Sequence, residues 1–105
     1  MKYLILIAVL LSFAVPVKAE LTIRGALDCG TWLEARRAGL VRAEGWLVGV
    51  LNGVTIGSGI EFWQAGDGMI TNDQLFYWMD KYCRENPLND VMDGVGKLFN
   101  ERTGD

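Results

Sequence analysis

Histidine is absent from the 105 residues, and proline and cysteine occur only twice each. Without histidine there is no imidazole to activate a serine or thiol, no histidine metal ligand and no switch centred near neutral pH. Positive charge is also scarce: Lys and Arg number 10 against 13 Asp and Glu, for a formal charge of −3. That balance argues against nucleic acid as a partner. A chain of 105 residues buries only a modest core, which excludes multi-domain enzymes, Rossmann folds and barrels with active-site loops.

Long hydrophobic runs are confined to the beginning. Met1-Lys2 supplies a basic start, Leu4 to Val15 is apolar but for Ser12, Pro16 breaks the run, and Val17-Lys18-Ala19 puts small residues at the two positions a signal peptidase reads. Residues 1–19 are therefore expected to be a signal peptide, cleaved after Ala19, that delivers the protein to the periplasm. The run falls short of the roughly 20 apolar residues of a membrane-spanning helix, and no Leu-x-Gly-Cys lipobox precedes Cys29. No membrane span is expected after cleavage. Loss of Lys2 and Lys18 leaves eight basic against thirteen acidic residues, a charge of −5, on a single helical domain over 20–105.

An exported chain with two cysteines most simply forms one disulfide, Cys29–Cys83. Closing a loop of about 55 residues stabilises a fold by roughly 4 kcal/mol on the chain-entropy model. Neither cysteine sits in a Cys-x-x-Cys pair, so a reactive thiol has little support.

The mature chain reads as helices. Asp28 caps a first helix that carries Trp32, Leu33 and Ala35, has Arg36 and Arg37 late, and stops near Gly39. A second runs from Val41 to about Val54, with Trp46, Leu47, Val50, Leu51 and Val54 at three-and-four spacing. Gly45, Gly49, Gly53 and Gly57 recur every four residues, a strip that predicts close packing inside the bundle or across a dimer. Each internal Gly costs about 1 kcal/mol against Ala, so such packing has to compensate. From Gly53 to Ile70 the chain is Gly-rich and reads as a mobile or binding linker, with Ile60, Phe62 and Trp63 exposed in it. A third helix begins at the capping-box sequence Thr71-Asn72-Asp73-Gln74 and carries Leu75, Trp78, Met79 and Tyr82, with Phe76 and Cys83 on an adjoining line. Asn86-Pro87 marks its end and the start of a fourth helix, from Leu88 through Val91, Val95, Leu98 and Phe99, with a frayed tail from Glu101. The expected fold is all-α, a small four-helix orthogonal bundle with one disulfide.

Three segments carry a family resemblance: Leu-Asp-Cys-Gly-Thr-Trp-Leu at 27–33, the Gly-containing apolar helix at 46–54, and Met-Asp-Lys-Tyr-Cys-Arg-Glu-Asn-Pro-Leu at 79–88. In this order they resemble the HdeA/HdeB family of small periplasmic acid-stress chaperones. The chain departs from that family in lacking Lys-rich ends. A similar outline occurs in the Rap/Tai type of exported immunity proteins. The first resemblance implies shielding of unfolded periplasmic proteins, with a homodimer as the resting form; the second implies a single toxin or envelope partner.

Acid would carry the mature charge from −5 to roughly +8 plus the amino terminus, because carboxylates titrate near pH 4. Phe62, Trp63, Phe76 and Trp78 are the candidate protein-binding residues. Catalysis is not expected. Glu34 with Glu44, or Asp80 with Asp90 and Asp93, would need a formed sugar cleft to act as a glycosidase pair, and Ser58 has no base. Asp67, Asp73 and Asp80 lack the calcium-loop pattern. Neither a metal nor a cofactor is expected.

Overall fold

In the structure, a computed structural model, residues 22–66 and 68–104 are described. The leader, its cleavage point after Ala19, and Asp67 lie outside them. Four helices follow in chain order: α1 (Cys29–Arg37), α2 (Val41–Ser58), α3 (Asn72–Glu85) and α4 (Val91–Thr103). No strand occurs among the described residues, and Cys29 is bonded to Cys83 with their Cα atoms 4.9 Å apart. The all-α, four-helix, single-disulfide expectation holds.

The helix ends show how local sequence sets the elements. At α1 the Asp28 carboxylate accepts from Thr31 N at 2.6 Å, meeting one of the backbone donors a helix start leaves open. Its acid is thereby held below the ordinary aspartate value, chiefly by the Thr31 backbone N–H. Gly39, with φ of 70°, turns the chain out of α1 as expected. The capping box at α3 is present in full: Gln74 N donates to Thr71 Oγ1, and Thr71 N donates to Gln74 Oε1.

Three expectations are corrected. First, α2 runs through Gly53 to Ser58 before Gly59, with φ of 71°, ends it, so that residues 53–58 of the expected linker are helical. Second, α4 starts at Val91 rather than Leu88, because Asp90 and Asp93 form a reciprocal capping box there. Pro87 lies in the turn before it, and Leu88 is 98% exposed. That turn is held by pairing across the fold: Cys29 N donates to Asn89 O and Val91 N to Leu27 O, an isolated bridge that sets the starts of α1 and α4 side by side. Third, the tail past Glu101 is helical to Thr103, and Gly104 closes it with φ of 79°.

The core takes one ridge from each helix. Trp32 and Cys29 come from α1; Ala43, Leu47 and Leu51 from α2; Leu75, Phe76, Met79, Tyr82 and Cys83 from α3; Val91, Val95, Leu98 and Phe99 from α4. The glycine strip is not part of it. A Cβ at Gly45, Gly49, Gly53 or Gly57 meets nothing within 4 Å, so close packing of the strip inside the bundle is also corrected. The reason is phase: the strip sits two residues out of step with Ala43, Leu47 and Leu51, which turns it by about 200° to the outer side. The close approach lies at Gly94 instead, where a Cβ would come within 2.7 Å of Met79 Sδ and 2.8 Å of Tyr82 Cδ1. Among the described residues no helix is long and apolar enough to cross a membrane.

Candidate functional site

Polar side chains that join separate helices converge on Arg36. It lies in the last turn of α1, where its charge also suits the helix dipole. Its Nε reaches Asp80 Oδ1 and Oδ2 at 3.1 and 3.2 Å, and its Nη2 reaches Oδ2 at 3.0 Å, a fork on the α3 carboxylate. Its Nη1 donates to Glu44 Oε1, in the first turn of α2, at 2.5 Å. Trp32 Nε1 completes the Asp80 shell at 2.8 Å. One guanidinium thus ties three helices together. The Phe76 and Tyr77 rings lie beneath it, with centroids 5.4 and 5.8 Å from its Cζ. The hydrogen bonds to Asp80 raise the Arg36 pKa above the ordinary arginine value; burial works against this and the Glu44 bond adds to it. Arg36 therefore stays charged throughout acid and neutral pH.

A second arginine organises the segment between α2 and α3. Arg102, in the last turn of α4, donates to the carbonyls of Phe62, Trp63, Ala65 and Gly68 at 3.1, 3.1, 2.8 and 2.9 Å. Its Cζ stands 5.3 Å from the Phe62 ring centroid. The Gly-rich segment is folded back on the bundle by this side chain, which satisfies carbonyls that have no helix to pair with.

The candidate protein-binding aromatics accordingly stand elsewhere than expected. Phe62 is fully buried and stacks on Phe99 with centroids 6.0 Å apart. Trp63 is half-buried, meets Phe62 edge-on at 5.1 Å, and donates its Nε1–H to Asn52 Oδ1 at 3.0 Å. Phe76 is buried, its centroid 6.3 Å from that of Trp32, and Trp78 is half-buried, stacked on Tyr82 at 5.4 Å. Phe62 and Phe76 belong to the core, so a ready-made aromatic surface patch from these four residues is corrected. The large apolar side chains that are exposed are others: Ile23, Leu40 and Val41 at the start of α2, Ile56 near its end, Met69, Tyr77 on α3 and Leu88 in the turn before α4.

The carboxylates considered for catalysis have other work. Glu44 and Asp80 hold Arg36, while Asp90 and Asp93 cap α4. Glu34 is exposed. The Ser58 hydroxyl accepts from Ile60 N just past the end of α2. Among the described residues no three His, Cys, Asp or Glu side chains gather as a metal site.

Sequence reasoning placed Arg36 and Arg37 only as helix-ending charges and left Arg102 in a frayed tail. Arginines in the last turns of α1 and α4 were the available signal, but the partners of Arg36 and Arg102 lie 8 to 44 residues away and no local pattern names them. Compared with known proteins, the chain matches no family model, no curated protein and no solved structure.

Proposed function

We propose that the protein is exported with cleavage after Ala19 and acts in the periplasm as an HdeA/HdeB-like acid-stress chaperone, binding unfolding proteins rather than catalysing a reaction. The observation that carries this reading is the Arg36 clamp. The ionic ties that hold the first turn of α2 to α1, and α1 to Asp80, both end on carboxylates. In this scheme strong acid discharges the clamp and leaves the guanidinium, which stays charged, without an ionic partner. The mature chain then carries only positive charge, and self-repulsion pushes its parts outward. From Gly45 to Ile60 no residue is charged, so once released α2 presents an apolar inner face with Leu47 and Leu51, and uncovers core beneath it. The aromatic residues Phe62 and Phe76 act in this scheme only after opening. The Cys29–Cys83 bond is indifferent to acid and limits how far the chain comes apart.

A homodimer belongs to the same proposal as the resting state, with the outward glycine strip of α2 against a second copy. The decisive experiment follows aggregation of an acid-labile periplasmic client by light scattering at pH 2 to 3 and at pH 7, with the mature protein and with Arg36→Met. Protection is expected from the wild type in acid alone, and from Arg36→Met at a higher pH. Equal behaviour at both pH values, or no protection at either, overturns the proposal. Stoichiometric binding of one partner at pH 7, without an acid effect, favours the immunity or envelope-adaptor reading.

A further inference from the structure

The cleft between α1 and α3 holds positive charge that the rest of the chain does not use. It encloses about 410 Å³ and is lined by Leu33, Arg36, Arg37, Asp80 and Arg84. Each nitrogen of Arg36 already donates to Asp80 or Glu44, and both Asp80 oxygens accept from Arg36 or Trp32. Arg37 and Arg84 make no ion pair or side-chain hydrogen bond among the described residues. Two guanidiniums, each with five donors and a fixed charge, therefore share one concave space with the apolar, half-buried Leu33.

We propose that this cleft docks an extended acidic segment of a partner protein, a Glu or Asp carboxylate bridging Arg37 and Arg84 while a neighbouring apolar side chain rests on Leu33. The chemistry of the alternatives points the same way. A bilayer surface or a nucleic-acid duplex is a broad polyanion, and it would meet the net negative field of a chain with 13 acidic residues against 10 basic. A space of this size admits one or two side chains, not a flat charged sheet. The site goes beyond acid-driven client capture and does not depend on it: docking takes place in the closed fold at neutral pH, where the partner's carboxylate is ionised.

The test is fluorescence anisotropy at pH 7 with a labelled, end-blocked peptide carrying two glutamates around a leucine. The same peptide with glutamines and vesicles of phosphatidylglycerol with phosphatidylethanolamine are the comparison ligands. The glutamate peptide is expected to bind at least about tenfold more tightly than its glutamine counterpart, as charge-assisted hydrogen bonds to a guanidinium fork require. Arg37→Gln with Arg84→Gln should erase that difference, and Arg42→Gln, exposed and outside the cleft, should leave it intact. Equal affinity for the two peptides overturns the proposal on the wild-type protein alone, whatever the variants do. So does unchanged binding in the double variant, equal loss in Arg42→Gln, or vesicle binding through the same two arginines without peptide binding. Failure here leaves the acid reading untouched, and failure of acid protection leaves this site untouched.

Discussion

α1 is joined to α3 and to α2 by bonds of different kinds. Toward α3 the joint is covalent, Cys29 to Cys83, with the Trp32 and Arg36 bonds to Asp80 further along the same helix pair. Toward α2 the side-chain polar joint among the described residues is the Arg36 guanidinium on Glu44, beside the Leu40 N–H on the Ala35 carbonyl and apolar packing in the common core. The fold therefore contains one covalent joint and one whose polar part is ionic. The covalent one also restrains the unfolded chain, which the ionic one does not.

The largest effect separating the two joints is removal of the covalent one. Cys29→Ala with Cys83→Ala should cost about 2 to 5 kcal/mol in chemical denaturation at pH 7, since a link across 54 residues of sequence no longer restrains the unfolded chain. Oxidised wild type should show no alkylatable thiol by mass measurement. If the double alanine variant loses no more than a variant of the ionic joint, the contrast between covalent and ionic attachment is wrong.

Cutting the ionic joint to α2, together with the Arg36–Asp80 bonds to α3, comes next. Arg36→Met should cost about 1 to 3 kcal/mol at pH 7, because Asp80 and Glu44, both largely covered, lose their common partner. The difference from wild type should be smaller at pH 2 than at pH 7, as the proposed release of α2 in acid requires. The N-cap of α1 supplies an internal standard for the sign. Asp28 has a lowered folded value, so its contribution is present above the ordinary aspartate range and disappears as pH drops through the folded value. Asp28→Asn keeps a capping oxygen that does not titrate, and should flatten that part of the acid response while leaving the Arg36 part in place. Acid unfolding curves of the two variants that coincide would show that neither group is sensed separately.

What the sequence revealed of these joints followed the distance between partners. Asp28, Gly39 and the Thr71–Gln74 box act within three or four residues, so their chemistry was legible. The start of α4 was misplaced because Pro87 is a strong local signal, whereas Asp90 with Asp93 is a less familiar capping pair. Its position is also fixed from outside, by the carbonyl of Leu27 and the amide of Cys29. Burial of Phe62 depends on Arg102, forty residues further along, and the composition of a Gly-rich segment carries no trace of it. The disulfide was reached by count and compartment rather than by geometry. The Arg36 site was visible only as a charge at the end of a helix, since a guanidinium's partners are chosen by the packing of helices and not by spacing along the chain.

The smallest expected effect concerns the outward side of α2, and it asks whether that helix has a second partner besides α1. Gly49 is exposed and its Cβ would meet nothing within 4 Å in a single chain. In an isolated protomer Gly49→Ala should therefore stabilise the fold by about 0.5 to 1 kcal/mol, through helix propensity alone. Across a helix pair packed at the glycine strip, the added methyl would stand where the second backbone approaches, and the gain would become a loss. Thermal melts at two protein concentrations, read beside sedimentation at each, separate the cases. A concentration-independent rise in melting temperature means that the strip faces solvent and that α2 is held by α1 and the core alone. A fall that grows with concentration, together with a weaker dimer, places the second copy on that face, so that in acid α2 would be released from two neighbours instead of one.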